Sequence, residues 1–261
     1  NRLWTIDHGN HGLRPARIVA IDLNTNEVLR HQALSPDIAP AGSFLQDLQV
    51  SVDGRTIVIA DASFWRKSPA IIVYDIETGD ARRVLESHAS VSAENYLIRS
   101  QERDMEFLGG IAALRGGVDG IALDHEWLYF GALSGSNLFR VKLSDLRDKK
   151  LPPGQLANRV ERYSDKPLSD GLSIDLEGNI YITDVEHNSV FVVGESRDLK
   201  TLIRSPDIRW PDALSFGPGG YLYIADSALP ELILQSREHI DANGPYRIYR
   251  FRPGFEGVPG Q

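Results

Sequence analysis

Short runs of alternating apolar and polar residues recur along the whole chain, and Gly, Pro or Asp cuts them every few residues. That period of two predicts β-strands and argues against amphipathic helices, which need apolar residues at a spacing near 3.6. Four segments share one grammar. FLQDLQVSVDG (Phe44–Gly54) leads into TIVIAD (Thr56–Asp61), and VDGIALD (Val118–Asp124) into WLYFGAL (Trp127–Leu133). SDGLSIDLEG (Ser169–Gly178) leads into IYITD (Ile180–Asp184), and PDALSFGPGG (Pro211–Gly220) into YLYIAD (Tyr221–Asp226). Each is a short strand, a Gly or Asp turn, and a second strand rich in aromatic and β-branched residues, which is hairpin chemistry.

A third strand is predicted at Arg17–Asp22, Ala70–Asp75, Asn137–Lys142, Ser189–Val193 and Tyr246–Phe251. A fourth is predicted at Glu27–Arg30, Ala81–Leu85, Val160–Tyr163 and Lys200–Ile203. Four antiparallel strands per unit, repeated so that neighbours cover each other's faces, predict an all-β propeller over residues 1–261 as a single domain. The chain opens on a second strand, Leu3–Asp7, and 18 strands are visible. A six-bladed ring of four-stranded blades is the expected fold, with the N-terminal blade missing from this sequence; a closed five-bladed ring is the alternative. The repeated aspartates lie 72, 51 and 42 residues apart (Asp47, Asp119, Asp170, Asp212), and the excess in the first interval falls at about residues 86–116. A stretch this long predicts an excursion over one face of the ring.

Composition narrows the chemistry. The 261 residues are 42% hydrophobic with a formal net charge of −8. Excess acid disfavours nucleic acid and anionic membranes as partners. No apolar run is long enough for a transmembrane helix, so no membrane insertion is expected. There is no cysteine, which excludes disulfides, thiolate metal sites and cysteine nucleophiles. HExxH, GxSxG, P-loop and dinucleotide-binding patterns are absent, so no nucleotide cofactor is expected.

The inner-strand positions carry the strongest candidate chemistry. Asp47, Asp119, Asp170 and Asp212 occupy equivalent places at the starts of four inner strands, which line the channel of a propeller. Carboxylates converging there repel unless a cation or protons intervene, and Ca²⁺ or another hard divalent cation suits oxygen ligands. The alternative is that each Asp caps its strand or binds a neighbouring backbone amide. Asp7, Asp61, Asp184 and Asp226 end the second strands and read as structural hydrogen-bonding positions. His8, His11 and His187 follow two of these strands and are placed to face a channel mouth. Phe64, Trp65, Tyr96, Phe130 and Trp210 either wall an apolar pocket there, suited to an aromatic amine, or pack between blades. Asp104, Glu106, Arg82 and Arg83 read as surface charge.

The motifs LWTIDHG (Leu3–Gly9), PARIVAIDLNTNEVLR (Pro15–Arg30) and VDGIALDHEWLYFGALSGSNLFRVKLSDL (Val118–Leu146) resemble the Yellow/major royal jelly protein family along essentially the whole chain. Lack of cysteine makes it similar to bacterial rather than insect members. The resemblance implies a six-bladed propeller and a secreted or periplasmic, monomeric protein. It implies a small-molecule ligand at the channel mouth, since the family includes pigment-pathway proteins, nutrient proteins and salivary binders of small amines. More distant six-bladed propellers include calcium-dependent lactonases of the regucalcin and gluconolactonase type. By motif, Asp119 matches their asparagine and Asp170 their metal-binding aspartate, while Asp47 falls near a third position. On that reading Asp119, Asp170 and His187 are catalytic candidates of a divalent-metal-dependent lactonase or esterase. This sequence departs from the pattern in having Val118-Asp119 in place of the asparagine motif and Gln46-Asp47 in place of Asn-Asp.

Overall fold

The computed structural model describes residues 1–260, which form five radially arranged antiparallel sheets. Blade one is β1 (Arg2–Asp7), β2 (Arg17–Asp22) and β3 (Val28–Ala33). Blade two is β4 (Leu45–Val50), β5 (Thr56–Asp61), β6 (Ala70–Asp75) and β7 (Ala81–Val84). A two-stranded hairpin follows, β8 (Glu106–Phe107) and β9 (Ala112–Ala113). Blade three is β10 (Val118–Leu123), β11 (Trp127–Ala132), β12 (Asn137–Lys142) and β13 (Glu161–Asp165). Blade four is β14 (Leu172–Ile174), β15 (Ile180–Asp184), β16 (Ser189–Val193) and β17 (Leu199–Arg204). Blade five is β18 (Pro211–Gly217), β19 (Tyr221–Asp226) and β20 (Arg247–Phe251).

The expected six-bladed ring is therefore corrected to five blades. The predicted strands form close to their predicted bounds, but they are all consumed by five sheets. Blades one and five are three-stranded, and the strand deficit does not amount to a sixth sheet among the described residues. Among these residues no helix is long and apolar enough to cross a membrane.

Side-chain alternation explains why the middle strands are apolar on both faces. Successive residues of a strand point to opposite sides of its sheet. In β5, Ile57 and Ile59 pack toward blade one with Ile18 and Tyr74, while Val58 and Ala60 join the core shared with blade three. In β11, Leu128 and Phe130 belong to that same core, whereas Tyr129 packs toward blade four with Leu172 and Ile182. Tyr181 of β15 turns the other way, to Leu214 and Ile224 of blade five. Every residue of β5, β10 and β11 except Trp127 is buried. A fully buried side chain such as Phe130 contributes about 1.5–3 kcal/mol.

The innermost described strand of each sheet packs on the next in chain order, β1 (a second strand by its sequence) on β4, β4 on β10, β10 on β14 and β14 on β18. Their approach is close enough to dictate glycine. A Cβ on Gly120 would lie 2.5 Å from the Asp170 carbonyl oxygen, and one on Gly171 would lie 2.5 Å from that of Asp212. The Asp-Gly repeat is thus a packing requirement of successive inner strands. The equivalent residue in blade five is Ala213, whose Cα is itself among the atoms a Cβ on Gly171 would strike.

Candidate functional site

Each repeated aspartate sits at an irregularity in its blade. Strand register shifts between Leu45 and Asp47, between Val118 and Ile121, and between Pro211 and Ala213. In blade four, Asp170 and Gly171 precede β14, and both backbone N–H groups donate to Thr183 Oγ1 at 3.1 and 3.0 Å. Such bulges re-aim side chains that a regular ladder would alternate. They bring Asp47, Asp119, Asp170 and Asp212 within electrostatic reach of one another.

Burial dominates the electrostatics of this cluster. Loss of water raises the Asp47 carboxyl to about 6, with repulsion from Asp212 adding to it. Asp119 is held well above the usual carboxylate range, by burial first and then by Asp170, Asp212 and Asp47. Asp170 rises for the same reason, with Asp212 its strongest repulsive neighbour. Asp212 is raised mainly by burial.

Two of the carboxylates already have protein donors. Asp47 accepts the backbone N–H of Leu48 at 2.7 Å and that of Ile121, on the next blade, at 2.9 Å. Asp170 accepts Trp210 Nε1–H at 2.6 Å. A fit test for a divalent ion fails here: among the described residues no three His, Asp or Glu side chains converge to hold a metal.

The second-strand aspartates are structural. Asp61 accepts N–H bonds from Phe44 and Ser63 and pairs with the buried Arg83 at 2.6 Å. Asp226 accepts the N–H groups of Arg209 and Trp210 and pairs with the Arg209 side chain at 3.2 Å. Asp7 accepts from Gly9 N–H. Asp184 accepts the N–H groups of Glu186 and His187 and bonds His187 Nδ1 at 2.9 Å. His187 itself is largely exposed on its loop. Arg83, expected as surface charge, is the buried partner of Asp61.

The mouth has two unlike halves. Over blades three to five the excursion folds down as a plug. Ile98 and Met105 are fully buried there with Leu133, Leu168, Val185 and Trp210. Arg99 N–H donates to Glu186 at 2.7 Å, and Arg103 donates to the Ile233 carbonyl at 2.8 Å. Over blades one and two a run of rings reaches solvent. His11 stacks on Phe44 at 4.5 Å, His8 meets Phe44 edge-on at 4.9 Å, and Phe44 tilts against Phe64 at 5.1 Å. Trp65 lies edge-on to His11 at 6.2 Å and is 73% exposed.

The predicted aromatics are therefore not brought together as one wall. Trp65 lies in the open half, Phe64 bridges it to the plug by packing on the Ile98–Met105 cluster, and Tyr96 is exposed on the excursion. Phe130 lies in the core between blades two and three, and Trp210 lies under the plug. Sequence reasoning missed Phe44 as a member of the ring series. It also missed Lys166, whose side chain is buried and whose Nζ donates to the Pro167 carbonyl at 2.8 Å. Burial pulls the Lys166 ammonium down to about 7, while the charges of Glu94, Asp119, Asp184 and Asp170, in that order, work to keep it protonated. The one available signal was a break in the repeat, Gly131-Ala132, where other second strands end in Ile-Asp, Ala-Asp or Thr-Asp.

The sequence profile of the major royal jelly proteins matches residues 1–249. The chain belongs to the major royal jelly protein family. No curated protein matches it. Solved structures similar to this royal jelly family member share its fold. A luciferin-regenerating enzyme is 11% identical, with 95% of this chain and 75% of that one covered and a TM-score of 0.63. A calcium-binding regucalcin from Agrobacterium tumefaciens is 17% identical, with coverage of 93% and 73% and a TM-score of 0.60. A gluconolactonase from Xanthomonas campestris is 16% identical with a TM-score of 0.53; 85% of this chain is covered, and it spans 64% of that one.

Proposed function

We propose that this royal jelly family member is a small-molecule binder that takes an aromatic, cationic ligand at the open half of the channel mouth. The observation that carries this reading is the pairing of an aromatic series ending in exposed Trp65 with an inner strand, β4, that carries Asp47. Asp47 and Asp212 are the less deeply buried pair of the four aspartates, and each lacks a cationic side-chain partner. A ligand ammonium facing them gains charge attraction, while its ring stacks on Trp65, Phe64 or His11.

The metal-dependent lactonase reading draws support from the fold shared with regucalcin and gluconolactonase. It is the weaker of the two, because among the described residues the aspartates do not converge as ligands and Asp47 and Asp170 are hydrogen-bonded by the protein. Asp119, Asp170 and His187 have no geometry that joins them in one catalytic set: His187 is bound to Asp184 instead.

The test compares tryptamine with indole-3-acetate by calorimetry, since the two share a ring and differ in charge. Saturable binding of the amine alone is expected, weakened about tenfold by Trp65→Ala and by Asp47→Asn, the equivalent of about 1.4 kcal/mol for each lost contact. Equal binding of both probes, or of neither, removes the reading.

A further inference from the structure

Two exceptions to the blade repeat coincide at one place. Second strands in blades one, two, four and five end in Asp7, Asp61, Asp184 and Asp226, but β11 ends in Ala132. The residue before it is Gly131, where β5, β15 and β19 have Ala60, Thr183 and Ala225. The space vacated by these two side chains is not empty. A Cβ on Gly131 would lie 2.4 Å from Lys166 Cε and 2.9 Å from its Cδ, so the glycine is the hollow through which the lysine stem passes. Lys166 leaves the end of blade three beside β13 and is 4% exposed.

A buried ammonium is expensive unless opposite charge surrounds it. The surroundings of Lys166 are acidic. Glu94 acts on it most strongly, followed by Asp119, Asp184 and Asp170. Glu94 is held in place by Ser136 and Asn137, at 3.0 Å to each side chain. Among the described residues, the only hydrogen bond from Nζ is the one to the Pro167 carbonyl. Asp119 and Asp170 are the two most deeply buried of the inner-strand aspartates. Strand register pairs Val118 with Ala132 and Ile121 with Phe130, so the hollow at Gly131 that holds the lysine stem lies across from the Asp119–Gly120 bulge, and Lys166 is the one cation among the groups that act on both carboxyls.

We propose that Lys166 is the resident cation of the channel, a protein-borne ammonium that balances Asp119 and Asp170 and denies them to divalent metal ions. One blade has exchanged a second-strand aspartate for the room this lysine needs. The inference does not rest on the ligand proposed at the open half of the mouth, because it is argued from the place of Lys166 and its tests use no amine. It accounts for a carboxylate-lined channel in a fold shared with a calcium-binding protein whose donors nevertheless do not assemble as a metal site here.

Two measurements decide it, both on the whole chain. The first titrates chelator-treated protein with Ca²⁺, Mg²⁺ and Mn²⁺ to about 10 mM, above the affinities of the weakest calcium modules. No saturable binding is expected for the wild type. Stoichiometric uptake that is lost in Asp119→Asn would overturn the proposal. The second is a double-mutant cycle in thermal midpoint with Lys166→Met, Asp119→Asn and the pair. The expected result is non-additivity, with Asp119→Asn restoring at least half of the change caused by Lys166→Met. Additive effects would show that the two groups do not balance each other and would also overturn it. Should Lys166→Met fail to fold, the wild-type titration and its Asp119→Asn control still decide the question.

Discussion

The two halves of the channel mouth are built from the same repeat yet behave as opposites. Over blades three to five, Ile98 and Met105 of the excursion seal Leu133, Leu168, Val185 and Trp210 from water, and the Trp210 indole N–H ends on Asp170. Over blades one and two the plug reaches no farther than Phe64, and the ring series from His8 to Trp65 opens outward. The difference teaches that an aromatic residue near a propeller mouth has no fixed role. Trp210 is a core residue because the excursion covers it. Trp65, also in a loop at the mouth end of its blade, is a surface because nothing covers it.

The largest expected effect lies in the sealed half. Trp210→Ala should lower unfolding free energy by about 3–5 kcal/mol in urea denaturation, the range for large core aromatics. Trp210→Phe keeps most of the volume and removes the bond to Asp170, so it should cost about 1–3 kcal/mol. If Trp210→Ala behaves like a surface substitution, the plug does not pack in solution and the two halves are alike.

The next effect is pH-dependent and lies on the boundary between the halves. The folded carboxyl of Asp47 titrates at about 6 instead of 3.8, so the folded state holds its proton over a range where the unfolded chain has lost it. Its favourable contribution is complete below about 4 and is lost as pH rises through 6, to a limit of about 3 kcal/mol for a two-unit shift. Asn cannot ionise. Denaturation at pH 4, 6 and 8 should therefore show Asp47→Asn gaining stability relative to wild type by about 1–3 kcal/mol as pH rises. A difference that is flat with pH would mean that Asp47 stays hydrated in the open half.

The smallest effect on stability is expected at Trp65. Trp65→Ala should change the unfolding free energy by no more than about 0.5 kcal/mol, as at other exposed sites. Loss of amine binding in a variant of unchanged stability is the sharpest expression of the contrast with Trp210.

Much of this was legible in the chain. Strand alternation and turn residues specify the blades almost to the residue, because each strand's own pattern must match the pleat on which it packs. Blade number was not legible in the same way. The strand deficit and the family resemblance both pointed to six, whereas sheet membership is a property of which strands pair, and they pair into five sheets. The aspartate repeat was visible, but its meaning was not. Whether such a carboxylate meets a metal, an amide or an ammonium depends on groups far away in sequence: Ile121 for Asp47, Trp210 for Asp170.

What the sequence determined by itself is therefore the local architecture: strands, turns, the repeat and the place of the excursion. Propensity and period are short-range, and they are written in consecutive residues. Tertiary structure alone decided which mouth aromatics are buried, which strands share a sheet, and that a lysine from the loop after blade three enters the hollow at Gly131. The physical reason is that burial and charge balance are sums over neighbours, and the neighbours are chosen only when the blades close on one another.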